Sequence, residues 1–277
     1  MFHRVTDWTD AYTNGAHIPE GSRWPGAWEA PAAAFRERLS SEGRAELGLS
    51  YGAGGRNSLD LFLPDGAEEP KGLVVFVHGG YWVALDRSYW SQFAAGPLAH
   101  GHAVAIPSYT LCPDIRIADI KFEIAAAVAL AASRVRGPIR LVGHSAGGHL
   151  VTRLVCSDTP LAPDIRSRIA HVLSLSGLHD LRPLLKIETN AKLRLDEAEA
   201  TAESPALLRP VDGLRLTCWV GGAERAEFRR QNALLSNIWT GLGASTRCVE
   251  EPDRHHFDVL DGLADPDHSL TKTLLEG

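Results

Sequence analysis

A serine with a glycine two residues away on either side, directly after an apolar run, constrains the backbone severely. Residues 141–150 read LVGHSAGGHL, and Gly143-His144-Ser145-Ala146-Gly147 fits the pattern G-x-S-x-G. The run before it, IRLVGH at 139–144, has the composition of a buried strand, and AGGHLVTRLV at 146–155 that of a helix. A chain that passes from strand to helix at Ser145 turns so tightly that side chains two residues away would collide, which accounts for the glycines. The helix would aim its free N–H groups and the positive end of its dipole at the serine, a setting that favours an anion forming there. The bland alternative is a glycine-rich loop that happens to contain a serine.

The rest of the chain supplies a frame for such a turn. GLVVFVHGG at 72–80 and HAVAIPSY at 102–109 are continuously apolar, as strands covered on both faces should be. AHVLSLSG (170–177), LRLTCWV (214–220) and STRCVEE (245–251) read as further strands. Between them, four-residue steps such as Ile120, Ile124 and Val128 mark helices, as does the run through Leu234, Leu235, Ile238 and Leu242. Upstream, AELGLSY and LDLFLP flank a glycine-rich turn and predict two antiparallel strands, preceded by a helix over 27–41. A closing helix is expected in PDHSLTKTLLE (266–276). Strands alternating with helices imply right-handed crossovers and a mainly parallel, twisted α/β sheet of about eight strands. The whole chain, 1–277, is expected to be one domain, with an irregular N-terminal arm over 1–30 and a helical cap or excursion over 178–213.

Three stretches could converge on one site. The first is Ser145 itself. The second is HGGYW at 78–82, at the end of a predicted strand, where glycines let the backbone turn its amides toward a developing oxyanion. Gly79, Gly80 and Tyr81 are the candidate donors there, with Ala146, the residue after the serine, as another. The third is DRHHFDVLDGL at 253–263, a polar loop after the last strand, which offers His255 or His256 as a base. His268, inside the expected closing helix, is less suited. The acid that orients such a base should follow the strand 214–220. Glu224 fits that place, ahead of Glu227 on the next helix and Asp253 in the histidine's own loop. Tyr81, Trp82, Tyr89 and Trp90 could form an aromatic wall, or could equally pack in the core.

A net charge of −6 with no basic patch argues against nucleic acid and acidic membranes as partners. The longest apolar run, near 125–132, is too short to span a bilayer. Cys112, Cys156, Cys218 and Cys248 lack metal-ligand spacing and read as reduced core residues. With no basic and then apolar leader at the start, they point to a cytoplasmic protein. The expected partner is a small-molecule substrate, a homodimer is compatible with the sequence, and neither metal nor organic cofactor is called for.

The chain resembles the α/β-hydrolases, and within them the kynurenine formamidase (arylformamidase) branch near the hormone-sensitive-lipase-like esterases. HGGYW, YTLCP (109–113), GHSAGGHL, SGLHDLRPLL (176–185), ESPALL (203–208), AEFRRQ (226–231) and HHF (255–257) carry the resemblance, in order. It implies Ser145 as nucleophile, His256, which precedes Phe257, as base, and Glu224 where the family usually has an aspartate. It also implies cleavage of an aryl formamide such as N-formylkynurenine through an acyl-enzyme. A carboxylesterase for small-acyl esters is the alternative, and a non-catalytic binding protein on the same fold a more distant one.

Overall fold

The computed structural model describes residues 4–66 and 69–276. The first three residues of the arm lie outside them. Eight strands form one sheet: β1 Ala45–Ser50, β2 Ser58–Phe62, β3 Leu73–Val77, β4 Ala103–Pro107, β5 Ile139–His144, β6 Ile169–Leu175, β7 Arg215–Gly221 and β8 Ser245–Glu251. Their spatial order is β1-β2-β4-β3-β5-β6-β7-β8. β1 and β2 pair antiparallel, as does β2 with β4, and every other neighbouring pair is parallel.

Alternation along the strands builds two apolar layers. Leu73, Val75 and Val77 face one cluster, and Val74 and Phe76 face the other. The longer helices cover both: α1 Trp24–Ser41, α2 Ile117–Arg134, α3 Ala146–Arg153, α4 Ala226–Gly241 and α5 Ser269–Leu275. The first layer takes Ile120, Ile124 and Val128 of α2 and Leu150 of α3, and the second takes Leu39 of α1 and Leu270 of α5. β5 lies mid-sheet, so its carboxyl end, where α3 begins, sits over the centre of the molecule.

Several details depart from the sequence reading. α1 begins at Trp24, three residues earlier than expected, with a proline in its first turn, where the missing N–H costs nothing. α3 stops at Arg153, two residues short of the expected end. α5 starts only at Ser269, so His268 is its N-cap and not an interior residue; its Nδ1 accepts from the Leu270 N–H. Cys112, Cys156 and Cys218 are buried, but Cys248 is exposed, because β8 is the sheet's edge strand. All four are free thiols.

Residues 178–213 form short helical pieces, Arg182–Lys186, Asn190–Leu193, Glu197–Ala202 and Pro205–Leu207. A buried ion network ties them to the body. Glu203 accepts from Lys121 Nζ of α2 at 2.6 Å and from Arg153 Nε of α3 at 2.9 Å. The Glu203 carbonyl also takes the Nε2–H of His149 at 2.7 Å. The two cations offset the hydration that the buried carboxylate has lost.

Gly147 is where α3 crosses β3 most closely. A Cβ placed there would lie 1.9 Å from the Val77 carbonyl oxygen and 2.8 Å from that of His78. Both obstacles are backbone at the carboxyl end of a central strand, so Gly147→Ala is expected to destabilise the fold by about 3 kcal/mol. Urea unfolding of the variant beside the parent chain measures it.

Candidate active site

Ser145 stands between β5 and α3 with φ 56° and ψ −115°. A non-glycine residue in this region costs on the order of 1–3 kcal/mol and persists only when its surroundings hold it. Here the Ser145 N–H donates to the Leu175 carbonyl at 2.8 Å, and the His149 N–H donates to the Ser145 carbonyl at 3.1 Å. The glycines at 143 and 147 are required as the sequence implied: a Cβ on Gly143 would fall 2.1 Å from the Gly147 carbonyl oxygen.

The loop after β3 reaches this turn. A Cβ on Gly79 would lie 2.9 Å from His144 Nδ1 and 3.1 Å from Ser145 Cβ, so only glycine allows the approach. Gly80, Tyr81 and Trp82 all have positive φ, at 113°, 51° and 57°. The turn's own hydrogen bonds run from the Val83 and Ala84 N–H groups to the Gly80 carbonyl and use neither the Gly80 nor the Tyr81 N–H. Ala146 is the first residue of α3, whose N–H has no acceptor within its helix. His78 anchors the loop from behind. Its ring stacks on Tyr109 at 4.3 Å and its carbonyl accepts the Tyr109 hydroxyl at 3.0 Å. Burial lowers its pKa to about 4, so it stays neutral.

The two histidines of the 253–263 loop have different surroundings. His255 packs edge-on against Trp24 and faces Asp258, with its Nδ1 accepting from the Phe257 and Asp258 N–H groups. His256 is buried, and its Nδ1 lies 2.7 Å from Glu224 Oε2. A carboxylate can only accept, so Nδ1 carries a proton, which in the neutral ring leaves the lone pair on Nε2. Glu224 is itself fixed through Oε1, which accepts the Gly221 N–H at 2.9 Å and the Ser176 hydroxyl. The longer glutamate is thereby accommodated: its loop is tied back to the end of β7. Glu227 is engaged elsewhere, with Tyr12 and Arg230, and Asp253 is exposed.

Sequence reasoning missed two neighbours of this pair. Ser176, directly after β6, carries no signal of its own beyond lying in SGLHDL. His144 lies beside His256 with ring centroids 4.6 Å apart and donates its Nε2–H to the His256 carbonyl at 2.9 Å. Burial, and next the neighbouring His256, hold His144 well below the usual histidine range, so it stays neutral.

Ser145, His144, His256, Gly80 and Tyr81 line one cavity of about 620 Å³. Its wall is mostly apolar and aromatic. Of the four aromatic candidates, Tyr81 and Trp90 reach it, whereas Trp82 is buried against His149 and Tyr89 packs with the second core layer. The remaining rings come from the arm and from the histidine loop, as Tyr12, Trp28 and Phe257. The arm contributes Thr9 and residues 12–15 to the lining, and the excursion contributes residues 187–189, Ala191 and Lys192. Among the described residues, no three His, Cys, Asp or Glu side chains are grouped to hold a metal ion, and no helix is long and apolar enough to cross a membrane.

Comparison with known proteins agrees with this architecture. The family model described as BD-FAE matches residues 59–207, from β2 through the excursion. The chain belongs to the BD-FAE family of α/β-hydrolases. Within its wider kinship, the kynurenine formamidase of Danio rerio is 30% identical over 252 residues, covering 87% of this chain and 84% of that protein. The Drosophila melanogaster kynurenine formamidase is 27% identical, covering 86% and 83%. A crystal structure from Silicibacter sp. tm1040, for which thioesterase is given as a candidate activity, superposes with a TM-score of 0.91 at 45% identity. It covers 98% of this chain and all of that one. Esterase B of Lactobacillus rhamnosis shares the fold at a TM-score of 0.63 and 18% identity, covering 91% and 92%. This member of the family is a hydrolase, like the kynurenine formamidases it matches over most of its length.

Proposed function

We propose that the chain is a serine hydrolase that cleaves an aryl formamide, of which N-formyl-L-kynurenine is the type, through an acyl-enzyme on Ser145. The observation that carries this reading is the His256–Glu224 pair, with Nδ1 to Oε2 at 2.7 Å, in the same cavity as a serine on a strained strand-to-helix turn. His256 Nε2 takes the hydroxyl proton as Ser145 Oγ bonds to the formamide carbon. The carbonyl oxygen becomes an oxyanion, stabilised by N–H groups from the 79–81 loop and Ala146. Collapse breaks the C–N bond, and the arylamine leaves with the proton held by His256. Water, deprotonated by His256, then releases formate and restores Ser145.

The apolar, ring-lined cavity suits an aryl leaving group. Apart from histidines, the charged residues lining it are Glu188 and Lys192, both exposed on the outer wall. They supply one carboxylate and one ammonium, which suits a substrate bearing an amino-acid tail. A small-acyl ester or thioester is the second reading, favoured by the activity suggested for the Silicibacter protein at 45% identity.

Turnover of N-formyl-L-kynurenine beside a short-chain p-nitrophenyl ester and an acyl thioester separates the two. The formamide reading expects formamide kcat/KM at or above the ester value. It also expects Lys192→Gln to raise KM for the formamide about two- to fivefold, with the uncharged ester unaffected. Ester or thioester cleavage without formamide cleavage would replace it with the second reading.

A further inference from the structure

The N-terminal arm does more than line the cavity. Its Tyr12 is nearly fully buried, and the Tyr12 hydroxyl donates to Glu227 Oε2 at 2.9 Å while accepting from Gln231 Nε2 at 2.9 Å. Gln231 is rigid in turn: its Oε1 accepts the His179 and Asp180 N–H groups at 2.9 and 2.8 Å. Asn14 Oδ1 takes the Arg225 N–H at 3.1 Å, and Arg225 also binds Asp10. The arm is therefore bolted to α4 at several points. From that fixed base, the Tyr12 carbonyl accepts the Tyr81 hydroxyl.

Tyr81 belongs to the loop that reaches the serine turn, and its N–H and that of Gly80 are not used by the loop's own hydrogen bonds. Gly80, Tyr81 and Trp82 all hold positive φ, a conformation that L side chains rarely adopt and that surrounding contacts must enforce. The Trp82 carbonyl is held from one side by the Cys112 N–H at 2.7 Å. The Tyr81 hydroxyl supplies the hold from the other. We propose that Tyr81 is a positioning residue: its hydroxyl, braced on the Tyr12 carbonyl, keeps the 79–82 loop in the conformation that presents its N–H groups to the oxyanion. The arm thus acts on the reaction itself, through α4, Tyr12 and Tyr81 in series. This inference rests on the reading of Ser145 as the nucleophile.

The test is Tyr81→Phe, which keeps the ring and the backbone N–H and removes only the brace. With a short-chain p-nitrophenyl ester, kcat is expected to fall about tenfold or more while KM stays within about threefold. The rate of Ser145 labelling by a fluorophosphonate should fall in parallel. Tyr12→Phe, which loosens the base and leaves the carbonyl in place, should lower kcat in the same direction. The double variant should lose no more than Tyr81→Phe alone, because both act through one strut. An unchanged kcat with a raised KM in Tyr81→Phe overturns the proposal, as do strictly additive losses. A parent chain that a phosphonate never labels would instead remove the nucleophile reading on which the proposal rests.

Discussion

Replacing Ser145 by alanine is expected to lower kcat/KM by about four to six orders of magnitude on any substrate the chain turns over. On the proposed mechanism the loss is this large because Ser145, His256 and Glu224 act as a unit, and without the attacking oxygen the remaining parts only bind. The backbone of the turn should be unaffected. The Ser145 N–H to the Leu175 carbonyl and the His149 N–H to the Ser145 carbonyl are main-chain bonds that alanine retains. Alanine also meets the same positive φ that serine tolerates. A steady-state assay paired with thermal unfolding therefore separates chemistry from folding: activity lost, midpoint nearly unchanged. Residual activity within tenfold of the parent would show that the attacking group lies elsewhere.

Substitution of Glu224 probes the other end of the proposed triad and yields an ordered pair of effects. Glu224→Gln keeps the length but removes the charge that, on the proposed mechanism, fixes the His256 tautomer and stabilises the imidazolium. A loss of about 10³–10⁴ in kcat is expected. Glu224→Asp keeps the charge but shortens the side chain by one methylene. The carboxylate would then have to leave either His256 Nδ1, now at 2.7 Å, or the Gly221 N–H, now at 2.9 Å. A misplacement of that size costs about a hundredfold at most. The glutamine variant should thus be the slower of the two by about tenfold or more. The reverse order, or near-parental activity in Glu224→Gln, would assign the acid's role to another group.

The sequence was most legible where local chemistry is decisive. Leu73–Val77 is buried on both faces and reads as an unbroken apolar run; Ile139–His144 is equally buried and shows it through Ile139, Leu141 and Val142 despite Arg140 and His144. The serine turn is legible because Gly143 and Gly147 answer to backbone only 2.1 and 1.9 Å from where a Cβ would lie, a constraint that permits a single residue type. His256 could be separated from His255 only by resemblance. Their sequence setting is the same, and what distinguishes them is the contact with Glu224, 32 residues away. The arm shows the limit most clearly. Tyr12 finds its partners 215 and 219 residues further on, and neither its composition nor its spacing could announce them. AEFRRQ could be read as a family signature but not understood as one. In the folded chain, Glu227 and Gln231 hold Tyr12, and Gln231 also holds the loop after β6. His268 and Cys248 were misplaced for a related reason. A helix start depends on which residue caps it, and the exposure of a strand residue depends on whether its strand lies at the edge.

On the proposed mechanism Ser145 is acylated during turnover. The most direct test is to react the folded chain with a fluorophosphonate and map the modified peptide by mass spectrometry. The account predicts one adduct per chain, on the peptide that holds Ser145, with hydrolytic activity lost in step with labelling. No adduct should form in Ser145→Ala. Full loss of activity with Ser145 unmodified, or sustained hydrolysis by a chain fully labelled there, would contradict it.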